Sequence, residues 1–286
     1  MDFPISKIST QSYSARLSEI PDPPKELYVR GTPPPQEASL LAVVGSRNYS
    51  NYGKQVVEYL IEGLRSYPIS IVSGLALGID ALAHEAALNA GLHTLAVPGS
   101  GIDDTVIYPR KNFGLAQKIL ERGGGLLSEF EPDFRATQWS FPRRNRIMVG
   151  LSHAVLLIEA SEKSGTLITA RLTAEYNRDL LVVPGNIFSE NSRGAHQFLK
   201  LGATPVTEPQ DIIDALHLTR DEGDLFSTPT GTQEEMLIFE LLNEPKDNDT
   251  LIRSLPFTRE ETLTLLMRME LDGKIKEQNG VFFKTF

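Results

Sequence analysis

The sequence predicts an α/β protein: an extended Rossmann-like, doubly wound and mainly parallel sheet, followed by a small winged-helix domain. Three observations predict it. Apolar runs rich in Val, Ile and Leu recur from Leu40 onward, most of them about 25–30 residues apart, the length of one βα unit. The runs are continuous rather than alternating, which marks strands covered on both faces in a parallel sheet between helical layers. The end of the chain changes character, with three helical patterns and then two β-prone runs around Asn279–Gly280.

Residues 1–38 are rich in Ser and Pro, end in "GTPPPQEAS", and read as an arm in which "KELYVRG" (25–31) adds a short strand. The Rossmann-like domain spans 39–216. Its strands are expected at "LLAVVGSR" (40–47), "ISIVSG" (69–74), "HTLAVPGSG" (93–101) and "GGLLSEF" (124–130). Three more follow at "AVLLIEA" (154–160), "DLLVVPG" (179–185) and, more weakly, "ATPV" (203–206). Most lead into a helix-like stretch. Residues 217–232, "HLTRDEGDLFSTPTGT", are polar and turn-rich and read as a linker. In the winged-helix domain, 233–286, "EEMLIFELLN" reads as one helix and "DTLIRSLPF" as a second, short one. A capping box of Thr258 with Glu261 opens the third. Asn279–Gly280 between β-prone runs is the hairpin signal. Over 230–286, 7 Lys and Arg stand against 11 Asp and Glu, a net of −4, which favours protein contact over DNA reading for this unit.

With 286 residues, 41% of them hydrophobic and 23% charged, the chain is long enough for one large and one small globular domain. No apolar run approaches the ~20 residues that cross a bilayer, so no membrane association is expected. A signal-peptide core is also missing, and the reading is cytoplasmic. Without cysteine there are no disulfides, thiolate metal sites or cysteine nucleophiles. A formal net charge of −9 argues against indiscriminate polyanion binding, so any nucleic-acid contact must come from a local patch.

That patch is visible in "FPRRNR" (141–146), where Arg143, Arg144 and Arg146 precede an apolar run. No Asp or Glu occurs from Phe134 to Ile158, so these arginines are expected to stay unpaired until phosphate arrives. Arg143 and Arg146 would share a helix face through i,i+3 spacing. In an open parallel sheet, ligands gather beyond the carboxyl ends of the strands. The glycine loops "VGSR" (44–47), "SGLALGID" (73–80), "PGSG" (98–101) and "SEKSGTLITA" (161–170) fall there, with Arg47 and Lys163 among them. Glycine lets backbone approach a ligand, and N–H groups at helix starts attract anions. No phosphate-loop Gly-Lys-Ser/Thr and no strict G-x-G-x-x-G after the first strand occurs, which weakens a nucleoside triphosphate or dinucleotide cofactor. Trp139 is expected to pack and Phe141 to lie in the core. His84 and Asp80, one helical turn apart, are expected to form a structural hydrogen-bonded pair. Glu129 and Glu159 end strands but have no evident catalytic partner. No metal-ligand spacing occurs among the five histidines, and no cofactor is implied.

These pieces together resemble the DNA-processing protein A family (DprA, also called Smf). The resemblance rests on "VVGSR" (43–47), "SGLALGIDALAHEAAL" (73–88), "AVPGSGID" (96–103) with "YPRKN" (108–112), and "GGLLSEF" (124–130). It continues through "FPRRNRIMVGLS" (141–152), "IEASEKSGTLITA" (158–170), and "VVPG" (182–185) with "LGA" (201–203). It implies a non-enzymatic protein, a homodimer, that binds single-stranded DNA, protects incoming strands in natural transformation and loads RecA recombinase onto them. It further implies a DNA-contact pocket of Ser46, Arg47, Arg143, Arg144, Asn145, Arg146, Lys163, Ser164 and Gly165. Two departures stand out. The family's helical N-terminal domain has no room in residues 1–38, and its Gly-Ser/Thr-Asn before the last helix is here "RGAHQF" (193–198). The alternative is a nucleotide-processing Rossmann enzyme of the phosphoribohydrolase kind, but "SEKSGTLITA" lacks the paired glycines and the glutamate of that signature.

Overall fold

A computed structural model describes residues 3–162, 164–218, 233–242, 245–271, 274–278 and 280–284. The chain divides into two compact units, Met1–Arg220 and Asp221–Phe286.

In the first unit every expected apolar run becomes a strand. In chain order these are β3 (Ser39–Val44), β4 (Ile69–Ser73), β5 (His93–Ala96), β6 (Gly125–Ser128), β7 (Ala154–Leu157), β8 (Asp179–Val182) and β9 (Thr204–Pro205). All seven pair parallel, in the order β6-β5-β4-β3-β7-β8-β9. The order reverses between β3 and β7: later strands add outward on one side up to β6, then on the other from β7. Such a switch point leaves a crevice at the carboxyl ends of the two central strands. Two earlier strands, β1 (Ile5–Ser9) and β2 (Glu26–Gly31), extend the β6 edge as antiparallel neighbours, so the arm is stitched onto the sheet.

Continuous apolar runs are required because alternate residues face different helical layers. Leu41 and Val43 of β3 point into one core, with α3 (Asn51–Glu62), α4 (Ile79–Asn89) and α9 (Pro209–Ala215). Ala42 and Val44 point into the other, with α2 (Ala15–Ser18), α6 (Ser140–Leu151), α7 (Thr166–Glu175) and α8 (Glu190–Lys200). All four of these strand residues are buried, and a fully buried Leu or Val contributes about 2 kcal/mol of hydrophobic stabilisation. A third core joins β6 to α5 (Phe113–Glu121). A further short helix, α1 (Thr10–Tyr13), follows β1 and precedes α2 in the chain.

The second unit holds α10 (Gln233–Leu241), α11 (Asn248–Ser254) and α12 (Arg259–Leu271), with a three-stranded antiparallel sheet. Its strands are β10 (Lys246–Asp247), β11 (Ile275–Gln278) and β12 (Val281–Lys284), and β10 has no signal in the sequence reading. The capping box before α12 is present: Thr258 N donates to Glu261 Oε2 at 2.9 Å, and Glu261 N donates to Thr258 Oγ1 at 3.3 Å. Gln278 pairs with Val281 across a two-residue turn, where Gly280 takes the positive φ of 80° that such a turn demands. Asn279 lies outside the described residues. Ile238, Leu251, Leu266, Met269 and Phe282 close the core of this unit.

Candidate anion-binding site at the switch point

A cleft of about 530 Å³ opens where β3 and β7 end, at the reversal of strand order. The loop after β3 gives Gly45, Ser46, Arg47 and Asn48, α6 gives Phe141, Arg144 and Asn145, and the loop into α7 gives Ser161, Ser164 and Gly165. Three local devices hold these walls. Thr166 Oγ1 donates to Gly45 O at 3.0 Å, tying the start of α7 to the end of β3. Asn191 Nδ2 donates to Asn48 O at 2.9 Å, fastening the start of α8 to the same loop. Ile79 N donates to Ser46 O at 3.1 Å, so the first turn of α4 grips the β3 loop. That last contact needs glycine at 78, where φ is 88° and any Cβ would collide with Ser46 O.

Helix geometry divides the arginine cluster. At about 100° per residue, Arg144 turns toward the cleft while Arg143 and Arg146 share a different face. Arg144 is buried, and its Nη1 donates to Gly74 O and Val97 O, carbonyls that follow β4 and β5. Its Nε donates to Asn145 Oδ1 at 3.0 Å. Beside it is Asp80, whose Oδ2 accepts the Gly74 N–H at 3.1 Å. Burial pushes the Asp80 carboxyl up, while the Arg144 charge opposes that shift. Arg47 is exposed, and its guanidinium lies 5.7 Å from the centre of the Phe141 ring. It makes no ion pair among the described residues.

The other two arginines correct the expectation of an unpaired cluster. Arg143 Nε donates to Glu129 Oε2 at 3.3 Å. Arg146 is buried and donates to the same carboxylate oxygen and to the carbonyl of Asp22. The window from Phe134 to Ile158 is free of acid, but the acid comes from just upstream of it, immediately after β6. Burial raises the Glu129 carboxyl pKa, opposed by the charges of Arg146 and Arg143. Two cations in the first turns of a helix also work against its dipole, which a nearby carboxylate offsets.

Of the predicted site residues, Ser46, Arg47, Arg144, Asn145, Ser164 and Gly165 line one cleft. Arg143 is half-exposed and bonded to Glu129, Arg146 points away into a buried ion pair, and Lys163 lies outside the described residues. Two of three smaller expectations change, those for Phe141 and for the His84–Asp80 pair, while Trp139 packs as expected. Phe141 is half-buried in the cleft wall rather than in the core. Trp139 packs edge-on against Phe130 and Phe134 yet stays 54% exposed. His84 and Asp80 do not bond to each other: His84 Nδ1 meets Thr94 Oγ1 at 2.7 Å, while Asp80 holds Gly74. Glu159 has a structural post, accepting Ser50 N at 2.9 Å and Ser50 Oγ at 2.6 Å at the start of α3. The divergent "RGAHQF" segment is the interior of α8, where Gly194 N donates to Ala160 O at 2.8 Å. Asn48, Thr166 and Asn191 also line the cleft, with nothing local in the sequence to distinguish a loop polar residue that faces it.

A doubly wound sheet with a glycine-walled cleft at its switch point, lined by Arg47 and Arg144 and by Asp80 and Glu190, defines a Rossmann-like protein. Comparison with known proteins narrows the class. The chain belongs to the family described as DNA recombination-mediator protein A, whose profile matches residues 5–217. Protein Smf of Escherichia coli (strain K12) is 37% identical over 284 residues, covering 96% of this chain and 75% of that protein. The DNA processing protein DprA of Streptococcus pneumoniae (strain ATCC BAA-255 / R6) is 41% identical over 211 residues, covering 74% of this chain and 73% of that one. The X-ray structure of DprA from Streptococcus pneumoniae superposes with a TM-score of 0.68 at 39% identity, over 74% of each chain. The structure of DprA from Helicobacter pylori, described for its single-stranded DNA binding mode, gives 0.66 at 32% identity, over 75% of this chain and 96% of that one.

Proposed function

We propose that this protein binds single-stranded DNA in the switch-point cleft, holding backbone phosphates rather than reading bases. The observation that carries the reading is the exposed Arg47, without an ion-pair partner among the described residues and lying over Phe141 next to buried Arg144. An exposed cation at the rim and a buried one in the wall suit a polyanion that passes through. Ser46, Asn145, Ser164 and Gly165 would supply hydrogen bonds, and Lys163 a further charge. Arg143 would reach phosphate at the rim by leaving Glu129, which keeps Arg146. Arg146 would serve by bracing α6. The single-stranded DNA binding named for the Helicobacter pylori relative supports the same assignment.

On this reading the protein acts without catalysis, as a homodimer in the cytoplasm, protecting strands and loading RecA recombinase. The second unit would be a winged helix that contacts protein, since its net charge of −4 over 230–286 repels DNA. The experiment is a binding comparison at two salt concentrations, using a single-stranded oligonucleotide, a duplex of equal length and free nucleotides. Preferential, salt-sensitive binding of the single strand is the expected result. Preference for the duplex, or tight binding of nucleotides alone, would overturn it.

A further inference from the structure

The cleft does not end at Arg47. Arg47, Ala76, Phe141 and Arg144 also border a second, shallower recess of about 40 Å³. Its far side is made by Leu77, Tyr108 and Pro109. Tyr108 is 50% exposed and Leu77 40% exposed, although both sit in well-anchored loops. The Tyr108 ring centre lies 5.7 Å from that of Phe141, tilted by 44°. The Arg47 guanidinium lies the same 5.7 Å from Phe141 on its own account. Cation, ring and ring therefore form one continuous rim.

The Tyr108 loop is held firmly. Asn112 Nδ2 donates to Leu75 O at 2.8 Å and to Ala76 O at 3.0 Å, which binds this loop to the glycine loop after β4. The Arg110 guanidinium lies 4.1 Å from the centre of the Phe113 ring, and the same side chain donates to Asp104 O. A rigidly presented aromatic face with an apolar neighbour, beside the two arginines of the cleft, matches what a nucleobase needs. Its phosphate would stay on the arginines while its flat face covered the ring.

We propose that Tyr108, with Leu77, forms a base-stacking subsite for the nucleotide next to the one whose phosphate rests on Arg47. The subsite rests on the single-strand reading and extends it along the groove. Stacking on an aromatic ring tolerates every base, because each base has a π-face. It involves no charge, so it leaves the salt dependence of binding untouched.

The test is fluorescence anisotropy with labelled oligothymidylate and with an abasic oligonucleotide of the same length, on the full chain. Y108A is expected to weaken oligothymidylate binding about tenfold. Y108F, which keeps the ring, is expected to bind as wild type does. On the abasic strand, wild type and Y108A are expected to bind alike, and the log–log salt slope is expected to be the same for both proteins. Unchanged oligothymidylate affinity in Y108A would overturn the subsite, as would an equal loss on the abasic strand. Wild-type protein that binds neither oligonucleotide would instead remove the single-strand reading on which the subsite rests.

Discussion

Two buried side chains show what single residues contribute here. Arg146 and Glu129 form an ion pair with side chains only 8% and 5% exposed. Removing one partner of a buried pair strands the other charge, so R146A is expected to lower unfolding stability by about 3 kcal/mol, the low end because Arg143 remains beside Glu129. Urea denaturation checks this, and the salt slope of DNA binding is expected to be unaltered. His84 is the second case. Burial holds its pKa down at about 3, so it stays neutral in the fold while the unfolded chain titrates near its ordinary 6.5. The unfolded state therefore takes up the proton first. Stability linked to His84 is complete above pH 6.5 and drains away as pH falls toward 3, by about 2 kcal/mol between pH 7 and pH 5. Urea unfolding at those two values should show that loss in wild type, and H84Q should show a smaller one. Equal losses in both proteins would place the pH sensitivity elsewhere.

At the scale of elements, the site is a meeting of α6 with the glycine loop after β4. Gly74 is where they touch: a Cβ there would overlap the Arg144 guanidinium and stand 2.5 Å from Asp80 Oδ2. G74A is expected to cost about 1–3 kcal/mol of stability through overpacking and to weaken oligonucleotide binding by moving Arg144. Titration of the variant with a labelled strand, alongside its melting curve, checks both. Some of this meeting was legible in advance. The seven parallel strands could be read because each must be apolar on both faces, and the position of α6 followed from the run "AVLLIEA" behind it. The shared face of Arg143 and Arg146 followed from helical spacing, although in sequence all three arginines read as one unpaired cluster. Their partners did not follow, since Glu129 and Asp80 reach them only through the fold. β1 escaped notice for a related reason: "ISKIS" is short and half polar, and becomes a strand only because β2 offers it a paired edge.

At the scale of the whole molecule, the candidate cleft lies within one unit. Residues 1–220 contain the sheet, all three of its cores and the complete cleft. A chain ending near Ser227 is expected to fold and to keep its affinity for single strands, as circular dichroism and anisotropy can show. A collapse of affinity with the fold intact would give the acidic second unit a DNA contact after all. Salt titration decides whether the cleft at the switch point neutralises phosphates. Each phosphate neutralised on a single strand contributes about −0.7 to the log–log slope of affinity against salt. Arg47 is exposed and makes no ion pair among the described residues, so R47A should leave the melting temperature unchanged. R47A is expected to flatten the slope by about 0.7 relative to wild type. A slope identical to that of wild type would contradict it.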